Sequence, residues 1–242
     1  MNTPLIQLTN LTLAYGQRVV FKQLNLSISE GSWTGILGSS GAGKSSLLRL
    51  LAGLTNANQM TSGFISPLVD QIAYMAQTDL LLPWLTVLDN ALLAHKLHPS
   101  QKKQREKALS LLAAVGLEKA VHLYPHELSG GMRQRAALTR TLMSDKPIIL
   151  MDEPFSAVDT ITRYRLQNLS LDLLKNKTVI FITHDPLEAL RLADDIYLMQ
   201  DKPATLKQVL HLNTPKPRTL NNIDMLDLQS TLLLAMNEDN VC

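Results

Sequence analysis

The sequence predicts an α/β fold with antiparallel strands at its start and a helical insertion in its middle. Three observations carry this. Apolar and polar residues alternate over 5–15 and again over 19–28, as in half-buried antiparallel strands. Short apolar runs recur within 33–37, 148–151 and 178–183, as in strands covered on both faces. From about 87 to 143 the spacing turns helical.

Taken in order, the first strand sets Ile6, Leu8, Leu11 and Leu13 against Gln7, Thr9 and Thr12. The run at 33–37 ends at Gly38, so it enters a turn. After Lys44, residues Leu47, Leu50, Leu51 and Leu54 fall on one helical face. A further strand is expected at 71–76. The clearest helical segments of the insertion are 102–115 and 130–143, separated by Tyr124 and Pro125. A helix is expected over about 158–175, between the last two apolar runs. The expected division is a domain over 1–202, its helical part at about 87–143, and a weakly patterned tail over 203–242. Within that tail, 225–236 reads as a terminal helix.

Composition narrows the function classes. The chain has 242 residues, 45% hydrophobic and 18% charged, enough to build a core without disulfides or metals. A net charge of +2 predicts no nucleic-acid partner. The one cysteine, Cys242, cannot form an internal disulfide, which fits a reducing compartment. The N-terminus lacks a signal-peptide pattern, and no stretch approaches the roughly 20 apolar residues that span a bilayer. Any action on a membrane is expected to run through a partner.

Gly38-Ser39-Ser40-Gly41-Ala42-Gly43-Lys44-Ser45 matches G-x-x-x-x-G-K-S between an expected strand and an expected helix. Glycines there let backbone N–H groups turn around phosphate oxygens. Lys44 reaches the terminal phosphates, the Ser45 hydroxyl suits Mg²⁺, and the helix that continues through Ser46 points its positive end at the anion. A second feature supports a nucleotide site. The buried run at 148–151 ends in Asp152-Glu153-Pro154. Asp152 is placed to hold Mg²⁺, and Glu153 to orient or deprotonate an attacking water.

The phosphate loop alone leaves the reaction open, since kinases, GTPases and motor ATPases use similar loops. The stretch Leu128-Ser129-Gly130-Gly131-Met132-Arg133-Gln134-Arg135 resembles the LSGGQ signature of ABC ATPases. Gln77 stands where that family has its Q-loop, and Ser156-Ala157-Val158-Asp159 where it has its D-loop. His184 matches the switch histidine, and Tyr15, before Gly16, the aromatic that stacks on adenine. The motifs follow the family's order over about residues 5–200. Each residue alone has an ordinary reading: Ser129 as a helix cap, His184 as a surface histidine, Tyr15 as a strand aromatic. Their joint order carries the resemblance. Met132 replaces the signature glutamine and Val158 the usual D-loop leucine; neither change removes a catalytic group.

The resemblance implies a P-loop NTPase core with an antiparallel β subdomain and an inserted helical subdomain, the ABC ATPase cassette. It implies ATP and Mg²⁺ as ligands, with Ser45, Gln77 and Asp152 toward the metal and Glu153, His184 and Gln77 in hydrolysis. It also implies that Ser129, Gly130, Gly131 and Asp159 serve the ATP held by a second copy, in a head-to-tail dimer. Gln77 is followed by a segment, 78–87, whose apolar character suits docking on a membrane permease. Its wording, LLPWLTVLDNALL, resembles importers of the nitrate, sulfonate/taurine and thiamine-pyrimidine-precursor branch. The expected function is the ATPase subunit of such an importer, peripheral on the cytoplasmic face of the membrane and served indirectly by a solute-binding protein. The alternative is a non-transport ABC ATPase of translation or DNA maintenance. The single cassette and the short distance from Lys44 to Asp152 count against both of those types.

Overall fold

The computed structural model describes residues 5–55, 60–65, 69–95, 101–219 and 223–237. The two ends of the chain, Cys242 among them, lie outside the described residues. Two sheets organise the rest. In the first, β1 (Ile6–Tyr15) lies between β2 (Arg18–Ile28) and β4 (Met60–Ile65), all antiparallel. The second runs in the order β5 (Ile72–Met75), β6 (Ile148–Asp152), β7 (Thr178–Ile182), β3 (Trp33–Gly38), β8 (Asp195–Gln200), β9 (Thr205–His211). Its first five members are parallel and β9 is antiparallel to β8.

The alternation in β1 contains a slip, because Leu8 and Leu11 are three residues apart. The strand absorbs it with a register shift, and Asn10 takes φ 50° there while its N–H donates to Asn25 Oδ1 at 3.0 Å. This irregularity returns Leu11 and Leu13 to the core side, and all four leucine and isoleucine positions of the strand are buried.

The central strands sort their apolar residues by parity. Ile148, Leu150, Ile180 and Ile182 pack toward the antiparallel sheet and α1 (Lys44–Leu51). Ile149, Met151, Val179 and Phe181 face the other way, into the larger cluster. That cluster also holds residues of α2 (Val87–Ala91), α3 (Gln101–Ala114), α4 (Gly130–Met143), α5 (Thr160–Leu173) and α6 (Pro186–Leu192). Covering both faces explains why these strands read as unbroken apolar runs.

Three expectations shift. Leu54, expected on the buried face of the first helix, lies past its end and is 64% exposed. The strands β4 and β8 and the helix α6 join the elements expected from sequence. The division expected at residue 202 falls between two hydrogen-bonded strands, since β9 pairs with β8 from Gln200↔Thr205 to Asp195↔His211. Beyond β9 the chain turns back over α6. There the buried Arg218 donates to the carbonyls of Leu190 and Leu212, each at 3.0 Å, before α7 (Ile223–Asn237).

Candidate active site

The C-terminal ends of parallel strands share one edge, where ligands bind in open α/β sheets. Here β3 ends at Gly38, β5 leads to Gln77, β6 ends at Asp152, and β7 leads to His184.

The loop from Gly38 to α1 folds around Lys44. Lys44 Nζ donates to the carbonyls of Gly38 at 2.7 Å and Ser39 at 2.8 Å. Burial holds this ammonium below the ordinary lysine range, against the pull of the Glu153 and Asp152 carboxylates. Gly43, at φ 102°, is the position before α1; a Cβ there would sit 2.8 Å from Val20 Cγ1, so a larger residue is both strained and crowded. The helix begins with no side-chain cap and no acidic residue in its first turn. Its first amides keep the free, positive character that suits an anion.

Over the loop lies an open cavity of about 430 Å³. Ser40, Gly41, Gly43, Lys44, Ser45 and Ser46 line it from the loop and helix. Gln77, Asp152 and Glu153 line it from the sheet edge, and Tyr15 joins them from the end of β1. The buried Gly38 and the exposed Ser39 contribute the carbonyls that hold Lys44, and Ala42 is a buried residue of the loop.

Asp152 is 2% exposed and hydrogen-bonds with the Ser45 side chain. Burial pushes its carboxyl above the ordinary carboxylate range; the Ser45 hydrogen bond opposes this, the neighbouring Glu153 adds to it, and Lys44 opposes it. Glu153 has a different backbone. Its φ is 50°, a left-handed conformation that costs a non-glycine residue roughly 1–2 kcal/mol. Its N–H donates to Ile182 O at 3.1 Å, and its Oε1 lies 3.6 Å from His184 Nδ1. The strained turn therefore gives the adjacent carboxylates different neighbours: Asp152 beside Ser45, Glu153 toward the exposed His184.

Ser129, Gly130, Gly131 and Asp159 do not line this cavity. Ser129 caps α4 by accepting from Met132 N at 3.3 Å, and Asp159 caps α5 by accepting from Thr162 N at 3.0 Å. That backbone hydrogen bond holds the Asp159 carboxyl below the ordinary range. Gly131 packs so closely on Ala157 that a Cβ would lie 2.8 Å from its carbonyl oxygen. The substituted positions Met132 and Val158 both pack on the larger core cluster.

Two residues at the site escape the motif reading. Arg18 lines the cavity. Gln134 joins α4 to the acid turn: its Nε2 donates to Glu153 O at 2.8 Å, and its Oε1 accepts from Ala157 N at 2.8 Å. The basic helix after the signature contained it, but nothing in one sequence says where a helical glutamine points.

The segment after Gln77 divides in two. Leu81, Val87 and Leu88 are buried, whereas Leu80 and Trp84 are 60% and 69% exposed. Its shape is set from below. The buried Asn90 donates to the carbonyls of Leu82, Leu85 and Thr86 at 3.0–3.1 Å. Arg140 of α4 donates to the carbonyls of Asp79 and Leu80, both at 2.7 Å.

Comparison with known proteins agrees with this geometry. A Haemophilus influenzae protein described as an uncharacterized ABC transporter ATP-binding protein is 40% identical over 234 residues, covering 95% of this chain and 97% of its own. The aliphatic sulfonates import ATP-binding protein SsuB 1 of Paracoccus denitrificans is 35% identical over 236 residues, covering 97% and 94%. Among solved structures, the dimer of MJ0796, described as a bacterial ABC transporter cassette, superposes with a TM-score of 0.76. It is 29% identical, over 87% of this chain and 100% of that one. The family profile described as ABC transporter matches residues 21–156. With its phosphate loop, acid pair and signature helix in one cassette, the chain belongs to the ABC transporter family, among its ATP-binding proteins.

Proposed function

We propose that this chain is the ATPase subunit of an importer of aliphatic sulfonates, hydrolysing ATP at a site that a second copy completes. The observation that carries the composite site is geometric. The cavity holds Lys44, Ser45, Asp152 and Glu153, while the Ser129–Gly131 helix start, a second positive helix end, lies outside it. A head-to-tail dimer brings one chain's helix start over the other's cavity. The solved relative described as a dimeric cassette supports that assembly.

In this reading Tyr15 stacks on the base, and the amides of Gly41, Ala42 and Gly43 surround the phosphates. Lys44 leaves its carbonyl partners for the terminal phosphates. Glu153 orients the attacking water and takes its proton as the bond from phosphorus to the leaving ADP oxygen breaks. His184 steadies Glu153 and the terminal phosphate; Gln77 reports the state of the site to the segment that follows it. Asp159 and Ser129 meet across the dimer.

The residues fit Mg²⁺. No cluster of three or more His, Cys, Asp or Glu side chains suited to a metal occurs among the described residues. Mg²⁺ does not need one, because it keeps waters and phosphate oxygens and takes only one or two protein ligands. A buried Asp152 hydrogen-bonded to Ser45 offers that pair of hard oxygens, with Gln77 beside them. When bound, Mg²⁺ neutralises developing charge on the phosphates.

No helix among the described residues is long and apolar enough to cross a membrane. The exposed Leu80 and Trp84 give a permease its docking surface, on the cytoplasmic face of the membrane, with a solute-binding protein acting on the far side. The relative named for aliphatic sulfonate import supports that substrate class over nitrate or a thiamine pyrimidine precursor. Reconstitution with the permease tests it. ATP-driven uptake of an alkanesulfonate supports the proposal; uptake of nitrate or a pyrimidine instead overturns the substrate, and ATP turnover unaffected by any permease overturns the transport role.

A further inference from the structure

We infer that Gln134 is a positioning residue for Glu153, setting the aim of its carboxylate from the signature helix. The inference rests on the role proposed for Glu153. Gln134 is 7% exposed, on the first turns of α4, five residues after Ser129. Its amide spans the acid turn. Nε2 donates to Glu153 O at 2.8 Å and to Ser156 Oγ at 3.2 Å, and Oε1 accepts from Ala157 N at 2.8 Å. Ser156 Oγ also donates to Glu153 O, at 3.1 Å. Both faces of the glutamine amide are used, so neither its donor nor its acceptor end can be exchanged without loss.

The carbonyl it holds belongs to the residue whose backbone is strained, at φ 50°. A left-handed non-glycine residue persists where its surroundings over-determine it. Here the surroundings are the Ile182 carbonyl on one side of the residue and, on the other, Gln134 together with Ser156, whose Oγ and N–H reach the same carbonyl at 3.1 and 3.4 Å. Loss of the Gln134 bond, at 2.8 Å the shortest of the three, loosens the peptide and lets the carboxylate move from its place 3.6 Å from His184. Displacement of a catalytic group by about 1 Å can cost roughly 10²-fold in rate.

The placement also joins two events. The helix that carries Gln134 starts at Ser129 and grips the docking segment through Arg133 Nε to Asp79 Oδ2, 3.1 Å, and through Arg140. Gln134 makes the aim of Glu153 depend on where that helix sits.

Steady-state ATP hydrolysis by Q134L and Q134E, each alone and combined with E153Q, tests this. Q134L removes all three bonds; Q134E keeps length and the acceptor to Ala157 N but loses the donor to Glu153 O and Ser156 Oγ. Both should lower kcat about 10–100-fold with KM for ATP within about twofold. In the E153Q background the same substitutions should change the residual rate less than about twofold, because the carboxylate they aim is gone. Full kcat in Q134E, or equal loss in both backgrounds, overturns the inference, the latter showing a helix-packing role. If Q134L does not fold, Q134E decides alone, with its melting temperature measured alongside. If E153Q by itself keeps near-normal turnover, it is the reading of Glu153 that fails.

Discussion

Glu153→Gly separates the stability of the acid turn from its function. Glu153 sits at φ 50°, where an L-residue other than glycine bears roughly 1–2 kcal/mol of strain. Glycine removes that strain but adds about 0.5–1 kcal/mol of unfolded-chain entropy. Glu153→Ala is the reference, since it deletes the carboxylate and its 3.6 Å contact with His184 yet keeps the strain. The glycine variant should therefore exceed the alanine variant in stability by about 1 kcal/mol. For a chain of this size that is roughly 2–4 °C in Tm. Both variants should lose turnover by roughly 10²–10⁴-fold. Paired thermal melts without nucleotide, with ATPase assays on the same preparations, read both quantities. A glycine variant less stable than the alanine variant would refute the reasoning that strain is stored at this residue.

Lys44→Ala should abolish turnover and weaken nucleotide binding in a fluorescence titration; unchanged affinity would remove Lys44 from the phosphate site. Tyr15→Ala should weaken ATP binding by about 1–3 kcal/mol if the ring stacks on the base, and unchanged affinity returns it to a packing role. Arg218→Ala strips buried carbonyls of their donor and should cost about 3 kcal/mol or more by denaturant unfolding; a loss below about 1 kcal/mol contradicts the clamp. His211 Nδ1 lies 2.7 Å from Asp195 Oδ1, and that hydrogen bond with the aspartate charge raises the imidazole above its ordinary range. A raised folded pKa gives stability that is fully present below the unfolded value of about 6.5 and lost as pH rises through the folded one. Asp195→Asn should flatten the stability profile above about pH 6.5, and an unchanged profile contradicts the pair.

Local patterns were legible where chemistry and burial coincide. The parity of Ile148 to Met151 and the run Gly38 to Ser45 announce a two-faced strand and a phosphate loop without any neighbour in view. β4 was not legible, because Met60-Thr61-Ser62-Gly63-Phe64-Ile65 has a glycine in its middle and takes its strand form from pairing with β1. β9 similarly carries Lys207 and Gln208 on a half-exposed edge, so its membership of the sheet is set by β8 rather than by its own pattern. Of the site, most residues that line the cavity belong to ordered motifs, Arg18 being an exception. The residues that hold those motifs in place, Gln134, Arg140 and Asn90, act through side chains that reach 4 to 61 residues along the chain. No spacing rule announces such contacts. The left-handed backbone of Glu153 is hidden for the same reason: a glutamate gives no sign of positive φ.

The proposed active cavity is one completed by a second chain. Light scattering of the E153Q protein with saturating Mg-ATP measures this directly. The expected particle has twice the 26.8 kDa chain mass and reverts to a monomer without ATP, and on adding Ser129→Arg, which leaves ATP bound to each monomer. A fully ATP-loaded E153Q monomer, or a dimer indifferent to Ser129→Arg, would contradict it.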